Sequence, residues 1–261
     1  MAGFCDFNLV WRIGKAAEMA RHSKNLGYSV IAFDKEVDIQ VFQQQKEAMS
    51  QLNFDGFDKI ANSTEKMRVL KRITIKIEKM SDLSAARKIE QNLPKSQIDL
   101  VAIKTRNEKI FHSCCEEGFF DIICLDFAEK NPFLLKRKSL KIAHRRRIMF
   151  EVCYSDFIED ESKRLAFMQN FDLLGAMSSY RNLLLSSGTD DPMLLRGPYD
   201  LINFCSLFKM DLKSSRASVL ENAHVVFERA RSRESFLDSV ASKEIEQLSD
   251  SEKLRKRPRF E

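Results

Sequence analysis

Four carboxylates of this sequence fall near the ends of predicted strands, where barrel enzymes hold their catalytic groups. They are Asp6, Asp34, Asp126 and Glu151. Catalysis in barrels of alternating strands and helices takes place at the carboxyl ends of the strands, so these side chains are candidate acids, bases or metal ligands. One hypothesis is therefore a metal-dependent phosphoesterase that uses Asp6, Asp34 and Glu151. The alternative is that these carboxylates accept hydrogen bonds in caps and turns.

Histidine spacing argues against that enzyme, because imidazole is a common nitrogen ligand of zinc and of related transition metals. The four histidines stand singly, and no two have a ligand spacing: His22, His112, His144 and His224. The sequence also contains no G-x-S-x-G elbow, no P-loop and no G-x-G-x-x-G loop, which acyl transfer, nucleotide hydrolysis and dinucleotide binding require. We therefore predict no catalytic residue, no metal site and no cofactor.

Basic residues form a clearer pattern than acidic ones. The segment from Asn131 to Phe150 contains no Asp or Glu but seven cations: Lys136, Arg137, Lys138, Lys141, Arg145, Arg146 and Arg147. We predict that part of this segment is an exposed basic loop, where guanidinium groups can bind phosphate through two hydrogen bonds. A second acid-free run, Lys66 to Lys76, has the period of a strand, which would put Arg72 on one face and Lys71 on the other.

The sequence RGPYD, residues 196–200, has the pattern of a helix start after a buried strand. Gly197 and Pro198 suit the N-cap and first-turn positions, and the apolar Leu183 to Leu185 predict the strand. Arg196 would then stand beside the free N–H groups of a helix N-terminus, which attract anions. In the simpler interpretation, Arg196 is a solvated arginine next to a helix cap.

Together these patterns predict a polyanion partner, with folded RNA recognised by its shape and phosphates. The predicted RNA-binding residues are Lys71, Arg72, Lys136, Arg137, Lys138, Arg145, Arg146, Arg147 and Arg196. Charged runs are usually solvated surface, and the same cations could instead pair with acidic protein subunits. A purely protein-binding module thus remains an open alternative.

Five short motifs, in order along the chain, resemble a known family. They are LGYSV at 26–30, LKRITI at 70–75, EKIFH at 108–112, FEVCYS at 150–155 and RGPYD at 196–200. The sequence between about Phe4 and Ser235 resembles the thirty-kilodalton protein subunits of eukaryotic ribonuclease P and ribonuclease MRP. That family has a TIM-like barrel, and its complexes remove the 5′ leader of precursor tRNA with a catalytic RNA.

The resemblance implies a noncatalytic subunit of ribonuclease P, and of MRP with a role in rRNA processing. Expected partners are the ribonuclease P and MRP RNAs, precursor tRNA indirectly, a small α/β subunit and further protein subunits, in the nucleus or nucleolus. Related phosphoesterases carry an H-x-H motif on their first strand. Here the comparable residues are Asp6, Phe7 and Asn8, which is a further argument against a metal site.

The elements that must position these residues alternate between strand and helix. Strands are predicted at 4–11, 28–33, 69–77, 100–105, 122–127, 148–154 and 183–185, with helices in most of the intervals between them. This alternation favours a closed or nearly closed TIM-like (β/α) barrel over residues 1–236, with an open doubly wound sheet as the alternative. Residues 237–261 are polar and end in KLRKRPR, which predicts a disordered basic tail or a nuclear import sequence.

Composition agrees with a folded protein of a reducing compartment. Hydrophobic residues make up 44% of the 261, enough to fill a large core. The six cysteines lack any C-x-x-C pairing, and no apolar stretch approaches the ~18 residues of a membrane span, so we expect a soluble intracellular protein. The net charge is +5, and the basic tail carries much of it, so an RNA surface must be a local patch.

Overall fold

A computed structural model describes residues 3–39, 53–92, 98–129 and 135–231, and in it seven parallel strands form one sheet in the order of the sequence. Residues 237–261, where we predict the basic tail, lie outside the described residues. The strands are β1 Cys5–Val10, β2 Val30–Asp38, β3 Arg68–Lys76, β4 Leu100–Lys104, β5 Ile122–Leu125, β6 Met149–Cys153 and β7 Leu183–Ser186.

Helices follow the strands and pack on the outside of the sheet. They are α1 Ala16–Asn25, α2 Phe57–Ser63, α3 Met80–Asn92, α4 Glu108–Glu117, α5 Arg137–Arg145, α6 Ser155–Glu159, α7 Glu161–Ser178, α8 Pro198–Cys205, α9 Leu212–Val219 and α10, residues 221–231. Short 3-10 turns at Pro192–Leu194 and Ser206–Phe208 flank α8. No helix in these ranges is long and apolar enough to cross a membrane.

The sheet closes on itself where β1 meets the end of β7. Val10 N–H donates to the carbonyl of Thr189 at 3.0 Å, and Gly188 N–H donates to the carbonyl of Asn8 at 2.8 Å. Leu9 and Thr189 form a parallel bridge that joins the two edge strands. The prediction of a nearly closed TIM-like barrel is confirmed, and the open doubly wound sheet is not the arrangement adopted.

Side chains alternate along each strand, pointing outward to the helices and inward to the interior of the barrel, as the period of a strand requires. The outward set, which includes Phe33, Ile73 and Ile103, packs under the helices in the main core. The inward residues near the amino ends of the strands, which we call the lower end of the barrel, form a second apolar cluster. Phe7 and Leu70 are among its members. Three residues of α10 belong to that cluster and close the lower end: Ala223, Val226 and Ala230.

Two local predictions need correction. Most of the described basic segment before β6 is the helix α5, which buries Ser139, Leu140 and Ala143 and exposes its cations, and Arg146 and Arg147 lie in the exposed turn after it. Asp6 is the second residue of β1, so it lies far from the carboxyl end of its strand.

Candidate nucleic-acid interface

Six of the predicted RNA-binding residues lie on or beside α5, and all six are exposed: Lys136, Arg137, Lys138, Arg145, Arg146 and Arg147. Lys136 is the N-cap residue and Arg146 the C-cap residue of the helix. A helix rises about 1.5 Å per residue, so the cations at its two ends are roughly 14 Å apart. They therefore form two groups along one helix.

Hydrogen bonds already engage some of these cations. Lys136 Nζ pairs with Glu108 Oε1 at 2.6 Å, which lowers the charge that Lys136 offers to another anion. Arg137 donates to the carbonyl of Ala176 at 3.1 Å, and Arg146 donates to the carbonyl of Glu117 at 3.4 Å. A guanidinium that bonds to a carbonyl keeps its charge and its other N–H groups, so Arg137 and Arg146 remain able to bind phosphate.

Lys71 and Arg196 lie away from α5 and are half-buried. Lys71 Nζ stands 4.4 Å from the centre of the Phe57 ring. Arg196 donates from Nη1 to the carbonyls of Met193 and Leu195 at 2.9 and 2.8 Å. Gly197 is the N-cap of α8 and Pro198 its first residue, as predicted, and the Arg196 side chain turns back to hold the preceding turn.

Arg72, also predicted to bind RNA, lies inside the barrel with no exposed surface. Its Nη1 and Nη2 donate to the two carboxylate oxygens of Glu151, each at 2.6 Å. Nη1 also donates to the carbonyl of Phe7 at 2.8 Å, and Nε lies 3.2 Å from Asp34 Oδ1. This placement corrects the prediction, because a guanidinium enclosed in this way cannot reach an RNA backbone.

Glu151 is the centre of this buried network. Besides Arg72, it accepts hydrogen bonds from Asn8 Nδ2 at 2.9 Å and from Ser186 Oγ at 2.7 Å. Burial alone would raise the pKa of Glu151, but attraction by Arg72 and hydrogen bonds from Arg72 and Ser186 outweigh it and lower the pKa. Glu151 is therefore an ionised group whose oxygens are already occupied.

The other proposed carboxylates have different surroundings. Asp34 accepts from Thr74 Oγ1 at 2.8 Å, and burial, opposed by Arg72 and Thr74, raises its pKa to about 6. Asp6 accepts the N–H groups of Asn8 and Ser187 through Oδ1, while its buried Oδ2 has no hydrogen-bond partner in the described part of the chain. Burial raises the pKa of Asp6 to about 6 as well.

A small cleft lies above this network at the mouth of the barrel, where the strands have their carboxyl ends. Its volume is about 70 Å³, and Asp34, Lys104, Asp126 and Cys153 are among its lining residues. Within the four described ranges, no group of three or more His, Cys, Asp or Glu side chains is arranged to hold a metal ion. The carboxylates of the phosphoesterase hypothesis bond to the protein's own groups.

Sequence reasoning missed the partners that complete the network: Asn8, Thr74, Cys124 and Ser186. One sequence pattern would have indicated them. In a strand whose residues alternate between the two faces, polar residues share one face with apolar ones. Thr74 and Arg72 share that parity with the buried Leu70 on β3. Strand pairing places Thr74 opposite Ala102, also inside the barrel.

Comparisons with known proteins place the chain in a family. The family model described as RNase P subunit p30 matches residues 3–235. The chain is 28% identical over 249 residues to the mouse protein named Ribonuclease P protein subunit p30, covering 93% of this chain and 91% of that one. It is 26% identical over 242 residues to a Schizosaccharomyces pombe protein named Probable ribonuclease P protein subunit 3, covering 91% and 97%.

Solved structures support the fold. A chain in the cryo-EM structure of archaeal Ribonuclease P with mature tRNA is similar with a TM-score of 0.61 and 16% identity, covering 87% of this chain and 90% of that one. A putative 2-pyrone-4,6-dicarboxylic acid hydrolase from Pseudomonas putida has a TM-score of 0.53 and 10% identity, covering 87% and 98%. With the family model matching most of its length, the chain belongs to the RNase P subunit p30 family.

Proposed function

We propose that this protein is a noncatalytic, RNA-binding subunit of ribonuclease P that supports removal of the 5′ leader from precursor tRNA. Its relatives in mouse and fission yeast are named as ribonuclease P subunits, and their similarity extends over nearly the whole chain. The archaeal structure with a similar fold contains mature tRNA, the product of the same processing step.

The observation that carries the noncatalytic role is the ion pair between Arg72 and Glu151. Both side chains are fully buried and lie where the inward strand positions of a barrel enzyme would hold reacting groups. A carboxylate that accepts two hydrogen bonds from one arginine, and others from Asn8 and Ser186, has little capacity left for substrate or metal. The metal-dependent phosphoesterase is for this reason the less favoured hypothesis.

RNA binding is proposed for the exposed cations of α5 and the residues that follow it. This helix and the two residues after it offer six exposed cations that form no ion pair with a described residue: Arg137, Lys138, Lys141, Arg145, Arg146 and Arg147. Cations held on a rigid helix bind phosphates without reading bases, which suits the recognition of a folded RNA by shape. Such a subunit lowers the repulsion between phosphates and so helps the catalytic RNA to fold.

The proposed partners are the ribonuclease P RNA and other protein subunits, including a small α/β subunit. We extend the proposal to ribonuclease MRP and its rRNA-processing role, and to a location in the nucleus and nucleolus. These extensions follow from the family resemblance and from the basic cluster KLRKRPR at 253–259.

Purification of the tagged full chain from its own cells tests this proposal. We expect the ribonuclease P RNA to copurify, and we expect the recovered complex, but not the chain expressed alone, to cleave precursor tRNA at the 5′ end of the mature sequence. Recovery of MRP RNA in the same sample would support the extension to MRP. Cleavage by the isolated chain, lost in Glu151→Gln, would contradict the noncatalytic role and favour the phosphoesterase.

A further inference from the structure

A cationic cleft lies between α5 and the loop formed by residues 179–182, which connects α7 to β7. Its volume is about 230 Å³, and its lining includes Arg137, Lys141, His144 and Arg181. Its described lining residues include no carboxylate. Arg137, Lys141 and His144 follow one another at helical spacing, so they lie on the side of α5 that faces this loop.

The three permanent cations of this cleft are available to a ligand. Within the described ranges, Arg137, Lys141 and Arg181 form no ion pair, and all three are exposed. The neighbouring cleft between α4 and α5 differs, because Glu108 lines it and pairs there with Lys136. The cleft that contains Arg181 is therefore the more strongly cationic of the two.

The backbone of the loop is held in an uncommon conformation. Ser179, Tyr180 and Asn182 have φ values of 54°, 56° and 60°, a region that residues other than glycine seldom adopt. Such conformations cost free energy and persist where the surrounding structure fixes them, often at functional sites. Here they turn the chain sharply and bring Arg181 to the rim of the cleft.

Specific contacts fix this conformation. The Tyr180 ring packs against Phe171, with ring centres 5.4 Å apart, and its hydroxyl donates to the carbonyl of Phe208 at 2.9 Å. Asn182 Nδ2 donates to the carbonyl of Ile148 at 2.8 Å, and Asn182 Oδ1 bonds to the His144 ring. Arg181 is thus presented by a loop that is anchored on both sides before any ligand binds.

We propose that this cleft binds the phosphate backbone of a folded RNA, with Lys141 and Arg181 as phosphate-binding residues alongside Arg137. The proposal rests on the proposed function and identifies the surface that performs it. Arg137 and Lys141 are one helical turn apart, about 6 Å, and Arg181 faces them across the groove, so one strand of phosphates can contact all three. None of the described lining residues is aromatic, whereas protein interfaces are enriched in aromatic residues.

The test compares two charge-matched double variants of the full chain. Lys141→Gln with Arg181→Gln removes two cations from the cleft, and Arg21→Gln with Lys24→Gln removes two exposed cations from α1. The probe is the ribonuclease P RNA of the same organism, transcribed in vitro, with the dissociation constant measured at several salt concentrations. Circular dichroism and thermal unfolding check that both variants fold like the unaltered chain.

We expect the cleft variant to bind the RNA about tenfold more weakly for each cation removed at low salt. Its plot of log affinity against log salt concentration should be less steep by about 1 for each lost phosphate contact. The α1 variant should bind like the unaltered chain.

Equal affinity and equal salt dependence in the two variants would contradict RNA binding by the cleft, but they would not contradict the proposed function. If the cleft variant binds RNA normally but no longer retains the other protein subunits, the cleft binds an acidic protein and the phosphate assignment is wrong. Failure of the unaltered chain to bind the RNA, alone and with its partner subunits, would instead overturn the proposed function itself.

Discussion

Neighbouring residues of one strand lie in different environments, one inside the barrel and one outside it. Arg72 and Lys71 are adjacent in β3, yet Arg72 is enclosed in the barrel and Lys71 lies over the Phe57 ring on the outer side. The period of a strand predicts that the two side chains lie on opposite faces of β3. Because both faces of a barrel strand are buried, the period does not show which face points into the barrel and which points toward the helices. Tertiary closure decides it, and a single sequence carries no direct record of that closure.

Removing both members of the buried ion pair should destabilise the protein by less than the two single removals added together. Arg72→Leu leaves the charge of Glu151 buried without its partner, which costs about 3–5 kcal/mol, and Glu151→Leu should cost a similar amount. We expect the double variant to lose less than the sum of these values in urea unfolding, because neither Arg72 nor Glu151 is left facing a missing partner. Strictly additive losses would show that the two charges are not coupled.

The same double variant tests whether Arg72 takes part in RNA binding. Because Arg72 has no exposed surface, Arg72→Leu with Glu151→Leu should bind the ribonuclease P RNA with the affinity of the unaltered chain, provided that it folds. A clear loss of affinity in a double variant that circular dichroism shows to be folded at the binding temperature would mean that Arg72 contacts the RNA.

Asp6 should make stability depend on pH. The folded protein raises the pKa of Asp6 from 3.8 to about 6, so the native state holds a proton that the unfolded chain releases. The contribution of protonated Asp6 to the free energy of unfolding is therefore lost as the pH rises from about 4 to about 6. Asp6→Asn, which carries no charge, should be more stable than the unaltered chain above pH 6 by about 1–3 kcal/mol and should lose this advantage near pH 4.

Urea unfolding at four pH values between 4 and 7 measures this difference, with the exposed Asp172→Asn as the control for a change of net charge. An advantage of Asp6→Asn that is the same at every pH would mean that Asp6 does not titrate in this range.

At the scale of elements, the alternation of strands and helices was predictable and the basic helix was not. Each strand contributes a short apolar run bounded by turn residues, which a sequence shows directly. In α5, only Ser139, Leu140 and Ala143 are buried, and the cations around them mask so short a helical pattern. The cleft was missed for a related reason, since Arg181 and Lys141 are distant in sequence and meet only when α7 and α5 pack side by side.

Gly175 tests whether the loop at 179–182 needs its present shape. A β-carbon at Gly175 would lie 2.2 Å from Tyr180 Cζ, so alanine must displace the ring that now packs against Phe171. Although Gly→Ala within a helix is normally stabilising, we expect Gly175→Ala to lower the free energy of unfolding by about 1–3 kcal/mol. Displacement of the loop should also weaken RNA binding through Arg181.

Gly14→Ala is the matched control for this prediction, because a β-carbon at Gly14 would meet nothing within 4 Å. It should leave both stability and RNA affinity nearly unchanged. Gly175→Ala with normal stability and normal affinity would show that Tyr180 moves freely, which would contradict a preformed loop.

At the scale of the whole molecule, the described residues close the lower end of the barrel and fill its interior below the mouth. Helix α10 closes the lower end with Ala223, Val226 and Ala230, and Arg229 holds it there by donating to the carbonyls of Phe120 and Arg146. The network around Arg72 and Glu151 fills the region below the mouth. Among the described residues, α5 and the loop beside it concentrate positive charge on the outer surface, which is the surface we propose for RNA.

Depletion of this protein from its own cells, followed by sequencing of precursor-tRNA 5′ ends, tests the central claim most directly. We predict that tRNAs with uncleaved 5′ leaders accumulate, that the unaltered chain restores processing, and that Glu151→Gln restores it too wherever that variant is folded and present at normal amounts. Restoration by Lys141→Gln with Arg181→Gln should be poor. Leaders removed normally in depleted cells would contradict the account.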